Sequence, residues 1–308
     1  MIDITTIGWL TIDDIVLTDG TCKFGSRGGG ALYSAVGASI WDQRVSIHSV
    51  AGRPYYFETL AQVEAYGILA SSIGMSEGNG LELWLLHESE SLKQQVPKLS
   101  SSNAIGLDSE RGMVAGVHAA AKGFHIAPQG PESSVANARH LGAFAHQPII
   151  TMDILADSFI DASVYRNLDF LEHLTAFLPS EAEIMRIWKP GSIEAWLREN
   201  AIRYGCHLVA KLGERGALVC ESGNGRLTHI PAYPARVVDT TGAGDGFCGG
   251  FIAGLVEGET PVSSAVRGTV SASFVVEAYG ALDTLRPDYA ERSARLEQVR
   301  SGICATTY

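Results

Sequence analysis

A chain of 308 residues with 46% hydrophobic and 19% charged residues can build a substantial core, as one large α/β domain or two small ones. Its net charge of −11 disfavours nucleic acids and anionic membranes as partners. The five cysteines form no Cys-x-x-Cys pair, so we expect them to be reduced. No apolar run has membrane-spanning length, and no Lys or Arg precedes Lys23 as a secretory signal would require. We therefore expect a soluble cytoplasmic protein.

The first half of the chain contains strand and helix patterns. Residues 1–7 alternate like a strand, and residues 28–41 are typical of a glycine turn that opens a helix, because apolar residues there recur at helical spacing. Further along we expect strands at 45–51 and 81–86 and a helix at 56–66. The polar segment 88–103 predicts a peripheral loop.

From Gly123 onward, apolar strands alternate with helices. The strand-like segments are 124–127, 149–152, 176–178 and 207–212, and the helical ones are 133–144, 167–173, 181–188 and 193–204. This alternation predicts a parallel sheet with helices on both faces. Residues 289–303 have helical spacing and are expected to pack on the outside. Because we find no internal repeat and no proline-rich linker, we expect one domain, residues 1–308, with a small inserted lid.

The segment Asp239-Thr-Thr-Gly-Ala-Gly-Asp-Gly-Phe247 carries the clearest chemical signal. Val237 and Val238 predict the end of a buried strand, and residues 248–256 predict an apolar helix. The first amides of a helix lack internal partners and the helix N-terminus is partly positive, so this turn favours phosphate. Asp245 is suited to taking a proton from a hydroxyl that attacks the phosphate. The segment therefore predicts phosphoryl transfer.

Three other interpretations of this segment are weaker. A dinucleotide fingerprint needs a third glycine where the chain has Phe247, and a Walker loop needs a Gly-Lys pair, which the chain lacks. An ordinary turn into a packed helix is opposed by four glycines that each cost a helix about 1 kcal/mol relative to Ala. These are Gly246, Gly249, Gly250 and Gly254. Such a cost favours close packing or function.

The segment resembles the C-terminal signature of the ribokinase-like carbohydrate kinases, the PfkB family. The resemblance implies that Asp245 is the catalytic base and that the amides of Gly242, Ala243 and Gly244 form an anion hole for the transferred phosphoryl group. It also implies a three-layer α/β/α sandwich with a mostly parallel central sheet and a small β lid from residues 14–26 and 81–105. Four motif matches between residues 8 and 284 follow the order of the family.

Two N-terminal features concern the phosphate acceptor. Asp13 lies near the end of the first predicted strand, where a parallel sheet faces its ligand crevice. The family has an aspartate at this spacing that binds substrate hydroxyls, although Asp13 could also be an exposed turn residue. Gly29 and Gly30 resemble the N-terminal signature of the family, with Tyr33 in place of its asparagine. Tyr33 is either core or ligand-facing, and its apolar ring suits a nucleoside or modified sugar better than ribose or fructose.

Two further motifs concern ATP and magnesium. Ser180-Glu-Ala-Glu183 resembles the Asn-x-x-Glu motif of the family, which implies that Glu183 helps to hold Mg²⁺ through water, with Ser180 beside it. The residues alone favour a capping box, with Ser180 as N-cap and Glu183 at N3. The segment 211–216 resembles the nucleotide-binding turn, which implies ATP contacts for Lys211, Gly213 and Gly216. Lys211 could equally be an exposed lysine at a strand end.

The remaining candidates are ion sites and single polar residues. The resemblance implies a monovalent cation site, possible for K⁺, at Asp239, Thr241, Gly280 and Thr284. Asp153 follows a predicted strand and is a candidate for orienting magnesium or nucleotide. The histidines lack metal-ligand spacing and are expected to be ordinary core or surface residues. They are His87, His125 and His229.

These patterns predict an ATP-dependent phosphotransferase acting on an alcohol group of a sugar or sugar-like molecule. A nucleoside kinase on the same scaffold is the alternative that Tyr33 suggests. A non-catalytic sugar- or nucleotide-binding regulator would be under no pressure to keep Asp245 and its glycine turn. Because residues 81–86 carry Trp84 and four leucines, we also expect a homodimer formed partly through the lids.

Overall fold

Strands and helices alternate along most of the chain, as expected. The structure is a computed structural model that describes residues 1–88, 93–155 and 161–303. The strands are β1 Ile4–Ile7, β2 Thr11–Val16, β3 Cys22–Gly28, β4 Val45–Gly52, β5 Leu69–Ser76, β6 Leu81–His87, β7 Lys93–Pro97, β8 Gly123–Ile126, β9 Ile149–Met152, β10 Ala176–Phe177, β11 His207–Lys211, β12 Ala217–Cys220 and β13 Leu227–Ile230. The α-helices are α1 Gly30–Ser39, α2 Tyr56–Ala65, α3 Ala104–Arg111, α4 Pro131–Gly142, α5 Glu181–Ile187, α6 Ile193–Tyr204, α7 Ala243–Val256, α8 Pro261–Val275 and α9 Tyr289–Ser301.

The large sheet has the strand order β13-β12-β11-β10-β9-β8-β1-β4-β5. Its neighbours pair in parallel from β11 through β5, and β12 and β13 add an antiparallel edge. One face packs against α1, α2, α7, α8 and α9, and the other packs against α4, α5 and α6. The predicted three-layer α/β/α fold with a mostly parallel central sheet is therefore confirmed.

A second, four-stranded sheet, here called the small sheet, has the order β3-β2-β6-β7. Strand β2 pairs in parallel with β6, and β3 and β7 pair antiparallel at the two edges. The loop predicted at 88–103 is therefore wrong in part, because β7 lies within it. Strand β7 is polar because it is an edge strand, and polar edge strands discourage pairing with other chains. Residues 89–92 of the predicted lid lie outside the described residues.

The turn at residues 239–244 follows an extended loop rather than the buried strand predicted at Val237 and Val238. Val237 is 60% exposed. The amides of Val238 and Asp239 both donate to the carbonyl of Val276 at the end of α8, at 2.7 and 3.2 Å. The strand prediction for Val237 and Val238 is wrong because this backbone is held by hydrogen bonds to the end of α8 and not by pairing within a sheet.

The glycines inside α7 are explained by helix packing. A methyl group at Gly249 would overlap the backbone of α1 at Ser34, and one at Gly250 would lie 2.7 Å from the carbonyl of Arg267 in α8. Glycine at these positions lets three helices approach closely. Close packing, rather than ligand contact, therefore accounts for these two glycines.

Within the described part of the chain, every helix is too short or too polar to cross a membrane. The described cysteines Cys22, Cys206, Cys220 and Cys248 are free thiols. The fifth cysteine, Cys304, lies outside the described residues.

Candidate active site

A cleft of about 570 Å³ lies between the small sheet and the carboxyl ends of the parallel strands. Trp9, Pro128 and Asp153 line it just after β1, β8 and β9, and Lys211 lines it at the end of β11. In an open parallel sheet this edge is where ligands bind. Many residues that the sequence singled out line this cleft together: Asp13, Gly29, Gly30, Tyr33, Asp153, Glu183, Lys211, Thr241, Gly242, Gly244 and Asp245.

The turn at the start of α7 has the geometry of an anion site. Gly242 is left-handed, with φ of 74°, and a methyl group there would overlap the ring of Tyr33. Among the described residues, the amides of Gly242 and Gly244 donate to no protein acceptor, whereas the amide of Ala243 donates to the carbonyl of Thr240 at 3.3 Å. Ala243 is thus the weakest of the three predicted donors.

Two carboxylates approach the cleft on either side of the glycine turn before α1. A methyl group at Gly28 would collide with Oδ2 of Asp13, and one at Gly30 would lie 2.9 Å from Oδ1 of Asp245. Side chains at these positions would displace the carboxylates. Gly29 has φ of 95° and packs on the backbone of Trp9 and Leu10. The glycine turn therefore makes room for Asp13 and Asp245 in one site.

Tyr33 combines the two roles that the sequence left open. Its side chain is buried and its ring packs on Gly242, yet it also lines the cleft. Burial, followed by the negative charges of Asp13, Asp239 and Asp245, raises the pKa of Tyr33 well above its ordinary value. The hydroxyl therefore stays neutral, and the ring supplies an apolar surface beside the anion turn.

The Lys211 side chain lines the cleft and is only 13% exposed, so the alternative of an exposed surface lysine is wrong. Its Nζ pairs with Oδ2 of Asp153 and lies 3.8 Å from Sγ of Cys248. A methyl group at Gly244 would come within 3.3 Å of Nζ. Burial alone would lower the pKa of Lys211, but the charge of Asp153 outweighs it and raises that pKa. The turn therefore has a charged ammonium beside it.

The predicted capping box at Ser180 and Glu183 is present. Oγ of Ser180 accepts from the amide of Glu183 at 3.2 Å, and Oε2 of Glu183 accepts from the amide of Ser180 at 2.6 Å. Glu183 also lines the cleft. Burial, and then the negative charge of Asp153, raise the pKa of Glu183 to about 7. The capping and cleft-facing roles therefore coexist.

The residues fit a magnesium ion that is held mainly through water. Asp153 and Glu183 repel one another electrostatically, which a divalent cation between them would relieve. Among the residues described, no three His, Cys, Asp or Glu side chains form a metal-ligating group. Mg²⁺ usually keeps several waters and contacts phosphates, so it does not need a complete protein cage.

The other candidates lie outside the cleft lining. Gly213 and Gly216 flank a short 3₁₀ turn between β11 and β12, with φ of 63° and 89°. This backbone conformation explains both glycines without reference to a nucleotide.

Three of the four residues of the predicted cation site form hydrogen bonds with protein groups. Oδ1 of Asp239 accepts from the amide of Thr241 at 2.9 Å and lies 3.3 Å from Nε2 of His87, at the end of β6. The carbonyl of Thr284 accepts from the hydroxyl of Tyr66 at 2.9 Å. Gly280 has φ of 76°. His87, which was expected to be an ordinary core or surface residue, thus joins the small sheet to the first residue of the 239–244 turn.

A buried polar network behind the cleft was missed from the sequence. Oδ1 of Asp108 accepts from Nε1 of Trp9 at 2.9 Å and from Arg111 at 3.0 Å, and Oδ2 accepts from the amide of Gly130 at 3.0 Å. Burial raises the pKa of Asp108, against the charge of Arg111. Trp9 and Gly130 both line the cleft. One aspartate in an amphipathic helix gives no sequence signal for such a role.

Comparisons with known proteins indicate the family of this chain. Residues 114–287 match the model of the pfkB family carbohydrate kinases. A cytidine kinase from Thermococcus kodakarensis is 25% identical over 277 residues, 87% of this chain and 93% of that protein.

Two solved structures share the fold at low sequence identity. A nucleoside kinase from Methanocaldococcus jannaschii, an archaeal member of the ribokinase family, has a TM-score of 0.73 and 20% identity, over 97% of this chain and 99% of that one. A putative ribokinase II from E. coli, in complex with ATP and Mg²⁺, has a TM-score of 0.77 and 17% identity, over 97% and 100%. The family model covers more than half of the chain, from β8 to beyond the anion turn. The chain therefore belongs to the pfkB family of carbohydrate kinases, and it is an ATP-dependent kinase.

Proposed function

We propose that the chain transfers the γ-phosphoryl group of ATP to an alcohol group of a sugar or nucleoside, with Asp245 as the general base. The observation that carries the proposal is the cleft shared by Asp13, Asp245 and the amides of Gly242 and Gly244, which find no acceptor within the described part of the chain. Phosphoryl transfer needs a base, a carboxylate that binds the acceptor, and amides that donate hydrogen bonds to the phosphate, all within one cavity.

The proposed reaction is a single in-line displacement. Asp13 holds the acceptor, and Asp245 takes the proton of its hydroxyl as that oxygen attacks the γ-phosphorus. The bond from the γ-phosphorus to the β–γ bridging oxygen breaks, and ADP leaves. The amides of Gly242 and Gly244 and the ammonium of Lys211 stabilise negative charge on the transferring group.

Magnesium and ATP would be held at the Lys211 end of the cleft. Glu183 and Asp153 would hold the ion through water, where Mg²⁺ neutralises phosphate charge when it is bound. Ser180 fixes Glu183 through the capping box, and the turn with Gly213 and Gly216 lies beside Lys211. The presence of ATP and Mg²⁺ in the E. coli structure supports ATP and Mg²⁺ as the ligands.

Four broader expectations belong to the same proposal. Residues 1–308 form one domain in which the small sheet acts as a lid that excludes water. Asp239, Thr241, Gly280 and Thr284 form a site for a monovalent cation such as K⁺. The protein works in the cytoplasm without nucleic acid or membrane as a partner, and it forms a homodimer.

The proposal is tested by Asp245→Asn. We expect turnover to fall by about 10²- to 10⁴-fold, the usual contribution of a general base, while ATP affinity stays within a few-fold of wild type. The measurements are ADP release with a phosphorylatable acceptor and calorimetric titration of ATP. Asp42→Asn is the matched control, because the Asp42 side chain is 83% exposed. Near-normal turnover of Asp245→Asn would show that another group is the base.

A further inference from the structure

The acceptor half of the cleft is walled mainly by apolar side chains. Side chains alternate along β6, so Leu81, Leu83 and Leu85 share the face that lines the cleft, whereas Trp84 does not line it. The wall is completed by Trp9, Pro97 and Ile105. Leu81, Leu83 and Leu85 also pack with Trp9 in one buried cluster, which fixes the wall in place.

Polar side chains also line this part of the cleft. Ser102 and Asn103 already accept hydrogen bonds from backbone amides before β6 and at the start of α3, respectively. Gln95 lies on the edge strand β7, so the polar groups inside the wall are those of β2.

Thr11 and Asp13 are two residues apart on β2, and both contact the space that a side chain at Gly28 would fill. The Thr11 side chain is buried, the residue being 5% exposed, and among the described residues its hydroxyl has no hydrogen-bond partner. A buried hydroxyl normally has a partner, so this one indicates a polar group of a ligand next to Asp13.

This distribution of polar groups does not match a free sugar. Nearly every carbon of ribose or a hexose carries a hydroxyl, and each would lose its water at an apolar wall without gaining a hydrogen bond. Sugar phosphates and sugar acids fit no better, because the only cation among the described residues that line the cleft is Lys211, which Asp153 already pairs. The wall instead suits a flat ring with apolar faces.

We infer that the acceptor is a neutral ribonucleoside, an inference that rests on the kinase function proposed above. The ribose diol bonds to Asp13 and Thr11, and the base lies against Trp9 and the leucines of β6. The 5′-hydroxyl meets Asp245, which takes its proton as the 5′-oxygen forms a bond to the γ-phosphorus and ADP leaves. Tyr33 adds an apolar face beside the anion turn, where an asparagine would favour a second polar contact.

The decisive experiment compares two classes of acceptor with the wild-type protein and ATP·Mg²⁺. ADP release is measured with adenosine, cytidine, uridine, guanosine and inosine, and with ribose, fructose and glucose. We expect at least one ribonucleoside to have a kcat/KM about 100-fold above that of every free sugar, because buried polar groups discriminate strongly between ligands. Preference for a free sugar would overturn the inference and leave the kinase function intact.

Direct binding keeps the test decisive if turnover is absent. Each nucleoside is titrated calorimetrically into Asp245→Asn, and ATP is titrated separately. Binding of a nucleoside supports the inference, whereas its absence overturns it. Failure of ATP to bind, together with no ADP release from any acceptor, would instead contradict the proposed function. The two failures are therefore distinguishable.

Two substitutions test the assigned contacts. Thr11→Val removes the hydroxyl at nearly constant shape, so we expect the KM of a ribonucleoside to rise about tenfold and the KM of ATP to stay constant, with Thr11→Ser restoring the wild-type value. Leu83→Asn should raise the nucleoside KM by a similar factor, whereas Leu99→Asn, at a fully exposed leucine, should not. An unchanged nucleoside KM in both variants would show that the base and diol bind elsewhere.

Discussion

The ammonium of Lys211, which lines the cleft, has two roles. It is needed by the phosphate groups of the proposed reaction, and it also neutralises Asp153, whose side chain is 3% exposed. A charge buried without a partner is far more costly than a buried pair. The stability of the protein therefore depends on an ion pair whose lysine also serves the proposed reaction.

We predict that replacing Lys211 alone destabilises the protein more than replacing both members of the ion pair. Lys211→Met leaves Asp153 buried without its cation, so we expect the free energy of unfolding to fall by about 3–5 kcal/mol. Adding Asp153→Asn removes the stranded charge and should restore part of that loss. Urea denaturation of both single variants and the double variant measures the coupling between them. Strictly additive effects would mean that the two side chains do not stabilise one another.

Helix α3 connects the small sheet to the acceptor half of the cleft. Its first turn contributes Ala104 and Ile105 to the cleft lining, and its last turn contributes the Asp108–Arg111 pair that holds Trp9 and Gly130. Because one carboxylate fixes two parts of the wall, the helix sets the shape of the acceptor compartment. Asp108 itself does not line the cleft and is a positioning residue.

We predict that Asp108→Asn changes acceptor binding more than nucleotide binding. The substitution weakens the hydrogen bonds to Trp9 and Gly130 and leaves the Arg111 charge buried, so the KM of the acceptor should rise about tenfold. The KM of ATP should stay within about twofold. Steady-state kinetics with each substrate varied in turn measures this split, and Glu110→Gln on the exposed face of the same helix is the control. Equal changes in both KM values would indicate general unfolding instead of lost positioning.

Elements with strong local patterns were predicted well, whereas a strand whose side chains bond to distant elements was missed. The predicted helix 193–204 coincides with α6, where Ser192 caps the first turn and Gly205 ends the helix in a left-handed conformation. Strand β5, with serines at Ser71 and Ser72, was not predicted from the sequence. Its side chains bond to histidines of other elements, His118 and His48. Such partners cannot be read from a local window of sequence.

In the candidate site, too, some residues could be found from local sequence motifs and others only from the three-dimensional structure. Residues inside motifs, such as Asp13 on β2 and Asp245 in the first turn of α7, were found from sequence and line one cleft, because the small sheet lies over the start of that helix. Thr11, Trp9 and Asp108 were not singled out from the sequence, and only the fold brings Thr11 and Trp9 to the cleft and Asp108 behind it. Motifs therefore identified the phosphate end, and tertiary structure was needed to describe the acceptor end.

The fold also revises the reason for expecting a homodimer. Three of the four leucines in residues 81–86 line the cleft, so they cannot form a subunit interface as well. The apolar surface that remains on the small sheet comes from Phe24, which is 65% exposed, and Trp84, with which it makes an edge-to-face contact at 6.4 Å. Lys98 lies 5.0 Å above the Trp84 ring. An interface formed by this face would cover the exposed aromatic surface.

We predict that the protein sediments as a dimer at about 10 µM and that Trp84→Glu makes it a monomer. A carboxylate in an apolar interface loses its water, and the neighbouring ammonium of Lys98 is already paired with Asp14, so even one substitution per subunit should shift the equilibrium strongly. Analytical ultracentrifugation measures the mass, and circular dichroism checks that the variant is folded. Phe57→Glu is the control, because Phe57 is 77% exposed on α2, outside the small sheet. A wild-type monomer at this concentration, or a dimer that persists in Trp84→Glu, would exclude this face as the interface.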